Sequence, residues 1–526
     1  MKKIFFLALI LCNALMAQAQ QTQTTQLGCG SEPSKEFLDY LDAVPFGQRA
    51  LRPRAEATYN IPISIKVLVP LGGSISTASY LESAYRMVCL LNRDYAGTSI
   101  QFYHKFYPTA VETSYSTVTS EFFAQAIEQN FNQPNVLNVY IADLSQYSGA
   151  GFAICGFARF PGSGSAPPGG GINSRGSMFI GLSGCLTNNT ASHEAGHYFG
   201  LLHPHQTTDQ APAAAGAERV LRVAVPGKNA PNCTTAGDRL CDTQADFIGG
   251  TPPAGTGWSN CNSVSGTLRD INNDRFRPDS SLIMSYAPSN CTNRFSAQQL
   301  SQMEFTLTLP LTNGLTRQYL TANNPNPPVG GNVVLPSTTI LPANNDSVSS
   351  NLVVFRWKSV PLATHYFMQI SNRNVFSTAS KVLDTIIVAD TSFTFNGQFA
   401  AGTQYTWRVR PMNQASSCLY NVAASRFRAT INIGVEELKS KYIKIYPTLI
   451  QNETNIRLFL DQLDANKMQV DLLDMTGSLV QSQQYVNIFN GQTLDFALGN
   501  GLANGVYNIR MQTDKQVLNK KIVVNR

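Results

Sequence analysis

Charge, histidine and long apolar runs are all scarce in this sequence. Charged residues make up 14% of the 526 residues and the formal net charge is +6, whereas about a quarter of the residues of an ordinary soluble protein are charged. No stretch concentrates Lys and Arg into the basic face that nucleic-acid binding needs. Beyond the N-terminus no apolar run approaches the roughly 20 residues of a membrane-spanning helix, so we expect no transmembrane segment. Hydrophobic residues nevertheless reach 43%, which excludes a disordered chain and supplies cores for three or four domains.

The N-terminus has the pattern of a secretory signal peptide. Lys2 and Lys3 precede an apolar run from residue 4 to residue 16, and Ala17-Gln18-Ala19 provides a small-residue cleavage site. This arrangement predicts a signal peptide over residues 1–19 and export from the cytoplasm. Disulfide bonds persist outside the cytoplasm, so the cysteines are candidates for pairing.

Hydrophobic periodicity divides the rest of the chain. Strand-like alternation and helical spacing interleave from residue 60 to residue 142, which predicts an α/β layer. A stretch rich in Pro and Gly near residue 325 indicates a linker, and beyond it short strands with frequent turn signals predict β-modules. The predicted organisation is a pro-segment at 20–54, an α/β domain at 55–320, a linker at 321–334 and β-domains at 335–430 and 441–526.

Four of the six histidines fall between residues 193 and 205. On a helix, His193 and His197 lie one turn apart on the same face, so both imidazoles can bind one metal ion. Gly200 is suited to end that helix in a left-handed conformation, after which the chain can return and supply His203 as a third nitrogen ligand. Three protein ligands leave a fourth position open, which is the arrangement of a catalytic zinc site.

Glu194 follows the first of these histidines and is predicted to act as a general base. Its carboxylate cannot easily bind the same ion, but it is placed to take a proton from the water that zinc polarises. Zinc lowers the pKa of such a water to about 7, which makes hydroxide available at neutral pH to attack a carbonyl. These residues therefore predict metal-assisted hydrolysis.

The pattern HExxHxxGxxH from His193 to His203 resembles the signature of the metzincin metalloproteases. That family also carries a downstream Met-turn, and the sequence LIMSY at 282–286 matches it. The resemblance implies that Met284 lies beneath the zinc ligands as an apolar floor, and that Tyr286 donates a hydrogen bond to the developing oxyanion. It implies a metzincin-type α/β catalytic domain, followed here by two all-β sandwich domains.

Further motifs resemble the pappalysin family of metzincins. The sequence GDRLCDT at 237–243 is similar to that family's GDxxxDT stretch, and residues 291–303 are similar to the segment after its Met-turn. The resemblance implies a calcium ion held by Asp238 and Thr243, with Asp242 as a further candidate. Carboxylate, hydroxyl and carbonyl oxygens are suitable ligands for calcium.

Two positions depart from the pappalysin pattern. Gln244 stands where the family usually has Pro, and Asn290 stands where relatives that cut beside Lys or Arg have Asp. A neutral amide cannot pair with a cation as a carboxylate does. Asn290 is therefore the candidate specificity residue, and a preference for basic residues does not carry over.

Ten cysteines are present, of which Cys12 falls in the signal peptide. The odd number that remains leaves at least one thiol unpaired. Cys29, in the predicted pro-segment, can fill the open zinc position and keep the enzyme latent until the segment is cut, and the family resemblance supports such a cysteine switch. Pairing of Cys29 with another cysteine is the alternative. Candidate activation sites are Arg49, Arg52 and Arg54.

Four cysteines are close together in the sequence after the zinc motif. The family resemblance implies that Cys233 pairs with Cys261 and that Cys241 pairs with Cys291. Sequence alone leaves all three pairings of four cysteines open.

The two C-terminal segments resemble known modules. Residues 335–430 resemble a fibronectin type III-like sandwich, with Trp357 and Trp407 predicted to be core residues rather than a ligand platform. Residues 441–526 resemble the C-terminal sorting domain of the bacterial type IX secretion system, through the motifs IYP, LLDMTG and a KKIVV ending. This resemblance implies the type IX machinery as a partner and the surface or surroundings of a Bacteroidetes-type bacterium as the location.

Together these features predict a secreted, monomeric zinc endopeptidase that hydrolyses peptide bonds in extracellular proteins. We expect the substrate backbone to pair as a strand with an edge strand at Met178–Leu182. The competing prediction is a surface adhesin or binding protein with a vestigial protease domain. The intact Glu194 and the three histidines favour the peptidase.

Overall fold

The computed structural model describes most of the chain after the predicted signal peptide. The described residues are 28–44, 46–49, 58–72, 77–147, 154–182, 185–186, 189–206, 212–248, 257–324, 333–377, 380–418, 422–430, 436–437, 443–461, 463, 465–499, 501–513 and 516–526. The signal peptide at 1–19, the candidate activation sites Arg52 and Arg54, and residues 325–332 of the predicted linker lie outside them.

The first domain is an α/β layer. Its helices are α1 (Lys35–Ala43), α2 (Phe46–Arg49), α3 (Thr77–Asp94), α4 (Glu121–Phe131), α5 (Thr190–Tyr198), α6 (Ala297–Thr308) and α7 (Tyr319–Ala322). Its strands are β1 (Gly28–Cys29), β2 (Tyr59–Val69), β3 (Ile100–Glu112), β4 (Leu137–Ala142), β5 (Ile154–Ala158), β6 (Ser177–Gly181) and a small hairpin of β7 (Gly257–Ser259) and β8 (Asn262–Val264).

Six of these strands form one mixed sheet in the order β1-β5-β6-β4-β2-β3. β2, β3, β4 and β6 are parallel, whereas β5 runs antiparallel to β6. The expected edge strand at Met178–Leu182 is therefore wrong, because β6 is hydrogen-bonded on both sides. The rim of the domain's own sheet is β5, and the two residues of β1 extend it from the predicted pro-segment.

Helices cover both faces of this sheet. The isoleucines that alternate along β2, Ile61, Ile63 and Ile65, belong to the same buried cluster as residues of α3, α5 and α6. On the opposite face, Ala124 and Ile127 of α4 pack with side chains of β4 and β5. Strands buried on both faces are apolar almost throughout, which explains the continuous burial of β4.

Helix α1 fastens the predicted pro-segment to this domain. Ser34 caps the helix by accepting a hydrogen bond from the backbone N–H of Phe37. Phe37 and Leu41 are 1% and 2% exposed, and they pack with domain side chains that are all apolar: Phe160, Leu202, Phe305, Leu309 and Leu315. At the end of the helix Asp42 pairs with Arg239 at 2.8 Å. Apolar contact and charge thus both hold the segment.

The second domain is a sandwich of two sheets. Its strands are β9 (Thr339–Leu341), β10 (Asp346–Ser349), β11 (Asn351–Trp357), β12 (His365–Ser371), β13 (Lys381–Val388), β14 (Ser392–Gln398), β15 (Gln404–Met412) and β16 (Ser425–Thr430). They pair in the orders β10-β16-β15-β12-β13 and β14-β11-β9. Trp357 and Trp407 are 2% and 0% exposed between the sheets, so the prediction that both are core residues is confirmed.

The first two domains are joined along helix α3 and strand β3. Tyr85 of α3 packs with Phe367 and Met412 of the sandwich, and a disulfide links Cys89 to Cys418. The loop after β15 also covers the outer edge of β3, where it accepts a hydrogen bond from the backbone N–H of His104 at 2.8 Å. The sandwich is thus attached at the edge of the sheet opposite to β5.

Charged side chains reinforce this contact. Glu82 of α3 lies 3.2 Å from Arg410 and 3.5 Å from both Lys381 and Arg408 of the sandwich. Burial opposes ionisation of Glu82, yet these cations hold its pKa below the ordinary value. The negative charge is therefore retained at the interface at neutral pH.

The third domain is a second sandwich. Its strands are β17 (Glu436–Glu437), β18 (Ile443–Tyr446), β19 (Leu449–Ile450), β20 (Asn455–Leu460), β21 (Ala465–Leu473), β22 (Leu479–Ile488), β23 (Thr493–Ala497), β24 (Gly505–Thr513) and β25 (Gln516–Val524). The larger sheet has the order β17-β25-β24-β21-β22 with β19 also on β25, and the smaller one is β18-β20-β23. Among the described residues, no helix has both the length and the apolar character that a bilayer span requires.

The described cysteines form four disulfides. They are Cys89–Cys418, Cys155–Cys185, Cys233–Cys241 and Cys261–Cys291. The implied pairs Cys233–Cys261 and Cys241–Cys291 are therefore wrong. Gly237 and Arg239 have φ of 59° and 61°, so the chain turns back and brings the Cα of Cys233 within 5.1 Å of that of Cys241. Cys29 is the one described cysteine that stays free, which contradicts the alternative of a Cys29 disulfide.

Candidate metal centre

Three histidine side chains converge at the end of helix α5. His193 and His197 lie on consecutive turns, and Gly200, with φ of 91°, ends the helix as its sequence position predicts. The chain then returns His203 to the same point. The three Nε2 atoms are 3.0–3.1 Å apart, close to the separation of about 3.3 Å expected for nitrogens around a tetrahedral zinc ion.

The opposite ring nitrogens fix how the imidazoles point. Nδ1 of His193 lies 2.8 Å from the backbone oxygen of Ile283, and Nδ1 of His197 lies 2.7 Å from that of Leu201. A proton on Nδ1 leaves the Nε2 lone pair directed at the shared centre. Burial lowers the pKa of His193 to about 4, so the ring is neutral and able to bind a metal at physiological pH.

A sulfur atom completes the set. Sγ of Cys29 and the three histidine nitrogens all lie within 4.8 Å of one another. Two or three imidazoles with a thiolate form a ligand set that favours zinc over magnesium or calcium. The residues present therefore fit zinc, with Cys29 at the position that the three-histidine arrangement leaves open.

Met284 packs directly beneath the ligand helix. It is fully buried, and a Cβ added to Gly196 would clash with its sulfur. A glycine between the two helical histidines thus allows the Met-turn to approach the helix closely. The resemblance to the metzincins implies a place beneath the zinc ligands for this residue.

Glu194 is 1% exposed and lies between the histidines and β5. A Cβ on Gly156 would lie 2.9 Å from Cγ of Glu194 and 2.8 Å from the backbone oxygen of Phe179, so the absence of a side chain there makes room for the carboxylate. Burial raises the pKa of Glu194 to about 8, against the opposing effect of hydrogen bonds from Ser31 and Cys29.

The predicted pro-segment enters this centre. The backbone N–H of Cys29 donates to Oη of Tyr286 at 2.9 Å, and the Tyr286 hydroxyl lies 3.3 Å from the Cys29 carbonyl oxygen. Ser31 donates to Oε2 of Glu194 at 2.8 Å. Burial, followed by the nearby charge of Glu194, raises the pKa of Cys29 well above its ordinary value. The structure thus brings Glu194, Tyr286 and Cys29 together with the histidines.

His205 is a member of this cluster that motif reasoning did not assign. Its ring stacks on His203 at 4.5 Å and lies 4.4 Å from the ring of Tyr286. Burial lowers its pKa to about 3, so His205 is neutral. The only signal in the sequence was its place among the four clustered histidines, and its contacts make it a support for His203 and Tyr286.

The residues predicted to bind calcium do not all meet. Asp238 and Thr243 are buried together, and the Thr243 hydroxyl donates to Oδ1 of Asp238 at 2.9 Å. Asp242 instead accepts hydrogen bonds from the Ser296 hydroxyl and the Gln298 backbone N–H, both at 2.8 Å. Asp242 therefore anchors the start of α6.

Two other carboxylates accompany Asp238. Glu218 and Asp246 are buried, and one oxygen of each of these three side chains has no hydrogen-bond partner among the described residues. Burial raises the pKa of Asp238 and of Asp246 to about 7. The charge of Asp242 adds to the effect on Asp238, and the charge of Asp238 adds to the effect on Asp246. Arg222 pairs with one oxygen of Glu218 at 2.8 Å, which leaves three negative charges with one described cation. Buried carboxylates are costly unless a cation or a proton joins them, so this group fits a calcium ion better than the set containing Asp242.

Asn290 is exposed next to the Cys261–Cys291 disulfide. The Met-turn segment carries it, since Met284 and Tyr286 precede it on the same stretch of chain.

The C-terminal segment matches a known family. Residues 444–525 match the model of the secretion system C-terminal sorting domain. No curated protein matches the chain. Among solved structures, the FN1–FN3 domains of chicken CNTN1 align at 10% identity, with a TM-score of 0.16, over 38% of this chain and 65% of that one.

Two more structures align with parts of the chain. PorZ, a surface component of the type IX secretion system of Porphyromonas gingivalis, aligns at 21% identity and a TM-score of 0.14, over 17% of this chain and 12% of that one. The fn3 domain of human contactin 1 aligns at 15% identity and a TM-score of 0.16, over 20% of this chain and 89% of that one. The chain thus spans less than two thirds of the CNTN1 and PorZ structures. The sorting domain identifies the protein as one that Bacteroidetes export through type IX secretion to the cell surface or the medium.

Proposed function

We propose that the protein is a zinc endopeptidase of the metzincin type, similar to pappalysins. The observation that carries this proposal is the convergence of three histidine Nε2 atoms within 3.0–3.1 Å beside a buried glutamate that is not one of the ligands. An adhesin would have no use for a buried carboxylate beside an open metal position, because burial of such a group is costly.

Each residue of the site has a separate role in the proposed reaction. Zinc, when bound by the three histidines, supplies Lewis-acid polarisation of the scissile carbonyl and of water. Glu194 takes the proton of the attacking water and passes it to the leaving amine. Tyr286 donates a hydrogen bond from Oη to the oxygen on which negative charge develops.

A peptide substrate would bind along β5. The strand β1 pairs with β5 in the uncut chain, which supports backbone pairing at this rim. The main-chain groups of β5 would then hold the substrate whatever its side chains are. Proteins outside the cell are the substrates available to an exported enzyme.

Cys29 would keep the uncut chain inactive. Its sulfur lies with the three histidine nitrogens, so it would occupy the position that water and substrate need. A bound metal favours the thiolate over the thiol. Removal of residues up to the arginines at 49–54 would release the site.

Metal removal tests the peptidase. The chain is trimmed with trypsin, which can cut after Arg49 and Arg54 but not at the Arg52–Pro53 bond. Trypsin is then inhibited, and cleavage of a peptide library is followed by mass spectrometry. We expect one zinc per chain, a loss of about 100-fold or more in cleavage after chelation, and recovery when zinc is added back. Zinc-loaded, trimmed protein that cuts no peptide would favour the adhesin instead.

Calcium would stabilise the first domain through Asp238, Glu218 and Asp246. Calcium at about 100 times its dissociation constant contributes about 2.7 kcal/mol, which raises the melting temperature of a domain of this size by about 5–10 °C. We expect Asp238→Asn to abolish this rise, as measured by calorimetry. Asp242→Asn is the matched control and should keep it, and a rise that persisted in Asp238→Asn would contradict the assignment.

A further inference from the structure

Ser31 is buried beside Glu194, and a latency mechanism based on Cys29 leaves it without a role. Ser31 is 6% exposed. Its hydroxyl donates to Oε2 of Glu194 at 2.8 Å and accepts the backbone N–H of Ala158 at 2.7 Å. Its own backbone N–H points at Sγ of Cys29 at 3.3 Å. One residue thus contacts the thiol, the carboxylate and the rim strand.

Two of these contacts occupy groups that peptide hydrolysis requires. Glu194 must accept a proton from water, and an oxygen that already accepts the Ser31 hydroxyl is less available for that transfer. The N–H of Ala158 lies on the outer edge of β5, where a substrate backbone would accept it. Ser31 blocks both functions with a single oxygen atom.

The neighbouring backbone is built for this close approach. A Cβ on Gly30 would lie 2.8 Å from Cδ1 of Ile154, so a side chain there would have to displace the end of the isoleucine for the segment to lie against β5. The backbone N–H of Gly30 also donates to the Gly156 carbonyl at 2.8 Å. These contacts deliver the Ser31 hydroxyl to Glu194 independently of any metal.

We propose that Ser31 is a second latency residue, which holds Glu194 and the Ala158 N–H in the uncut chain. This role rests on the proposed peptidase function and adds to that of Cys29. Loss of the thiol contact alone, by oxidation or substitution, then leaves the uncut chain partly latent. Full release requires the whole segment to leave.

The test compares uncut chains that carry Ser31→Ala or Ser34→Ala. Ser34 belongs to the same segment but caps α1, so its loss loosens the segment without touching Glu194. We expect Ser31→Ala to raise peptide cleavage by the uncut chain about 10- to 100-fold, because the substitution removes a hydrogen bond to a buried oxygen of Glu194 and so weakens the hold of the segment. Ser34→Ala should raise it no more than about fivefold. Gel analysis verifies that the chains stay uncut during the assay.

Two further measurements distinguish a failure of the proposed role of Ser31 from a failure of the proposed peptidase function. After trypsin removes residues up to Arg54, wild type and both variants have the same sequence and should cut peptides equally. Hydrogen exchange of the Ala158 amide should accelerate in uncut Ser31→Ala and not in Ser34→Ala. If the trimmed proteins are active and Ser31→Ala matches Ser34→Ala in both readouts, the role of Ser31 is overturned. If no trimmed protein cuts peptides, the peptidase function itself fails.

Discussion

Replacing Glu194 by Gln is expected to lower kcat/KM for peptide cleavage by the trimmed protein about 10³- to 10⁴-fold. The amide has the same shape as the carboxylate but cannot accept the proton of the attacking water. Zinc content should stay at that of the wild type, because the metal ligands are the three histidines. Stability should not fall, because the amide keeps the shape of the side chain and brings no buried charge.

A second glutamate supplies the control for this experiment. Glu112, at the end of β3, is exposed, and Glu112→Gln should leave both cleavage and zinc content unchanged. A Glu194→Gln protein that kept more than a tenth of wild-type activity would contradict the assignment of Glu194 as the general base. A variant that lost zinc as well would show that the carboxylate holds the site together.

Replacing Tyr286 by Phe is expected to lower kcat about 10²- to 10³-fold with a much smaller change in KM. A donor that acts on charge developing in the transition state contributes to kcat rather than to substrate binding, and removal of one such donor costs about this much. The ring contacts with His203 and His205 survive the substitution, so the metal centre should keep its geometry. Steady-state kinetics on a single peptide measures the effects on kcat and KM separately.

Tyr140 provides the matched control for Tyr286. It is a fully buried tyrosine of β4 whose hydroxyl donates to Oδ1 of Asn132 at 2.8 Å. Tyr140→Phe removes a buried hydroxyl at a cost of about 1 kcal/mol of stability, but it should not alter kcat. Equal losses of kcat in both variants would mean that the effect of Tyr286→Phe is structural.

The convergence of the three histidines could be predicted because they are local in sequence. A helix places His193 and His197 on one face whatever surrounds it, and Gly200 dictates where the chain turns toward His203. Tyr286 and Met284 are far away, and they could be assigned only through their resemblance to the Met-turn. Periodicity likewise predicted that strands and helices interleave from residue 60 to residue 142, where β2, α3, β3, α4 and β4 follow one another.

The features that could not be predicted from the sequence depend on long-range packing. β5 is only five residues long, so no periodic signal identified it as the rim strand. Glu218 and Asp246 became candidates only because the fold buries them beside Asp238, and sequence does not report burial of an acid in an irregular loop. The implied disulfide pairings were wrong for the same reason, since the number of intervening residues does not say which cysteines meet in the fold.

Because of the disulfide between Cys89 and Cys418, the effect of a proteolytic cut depends on whether it falls inside or outside the loop that the disulfide closes. Every peptide bond from residue 89 to residue 418 lies within a covalent ring, so a single cut there opens the ring without dividing the molecule. No cysteine follows Cys418, and the sorting domain is therefore tied to the rest by backbone alone. One cut between the last two domains frees the export signal, while no single cut in the predicted linker at 321–334 can detach the first sandwich. The first two domains therefore stay covalently joined after a single cut anywhere between residue 89 and residue 418.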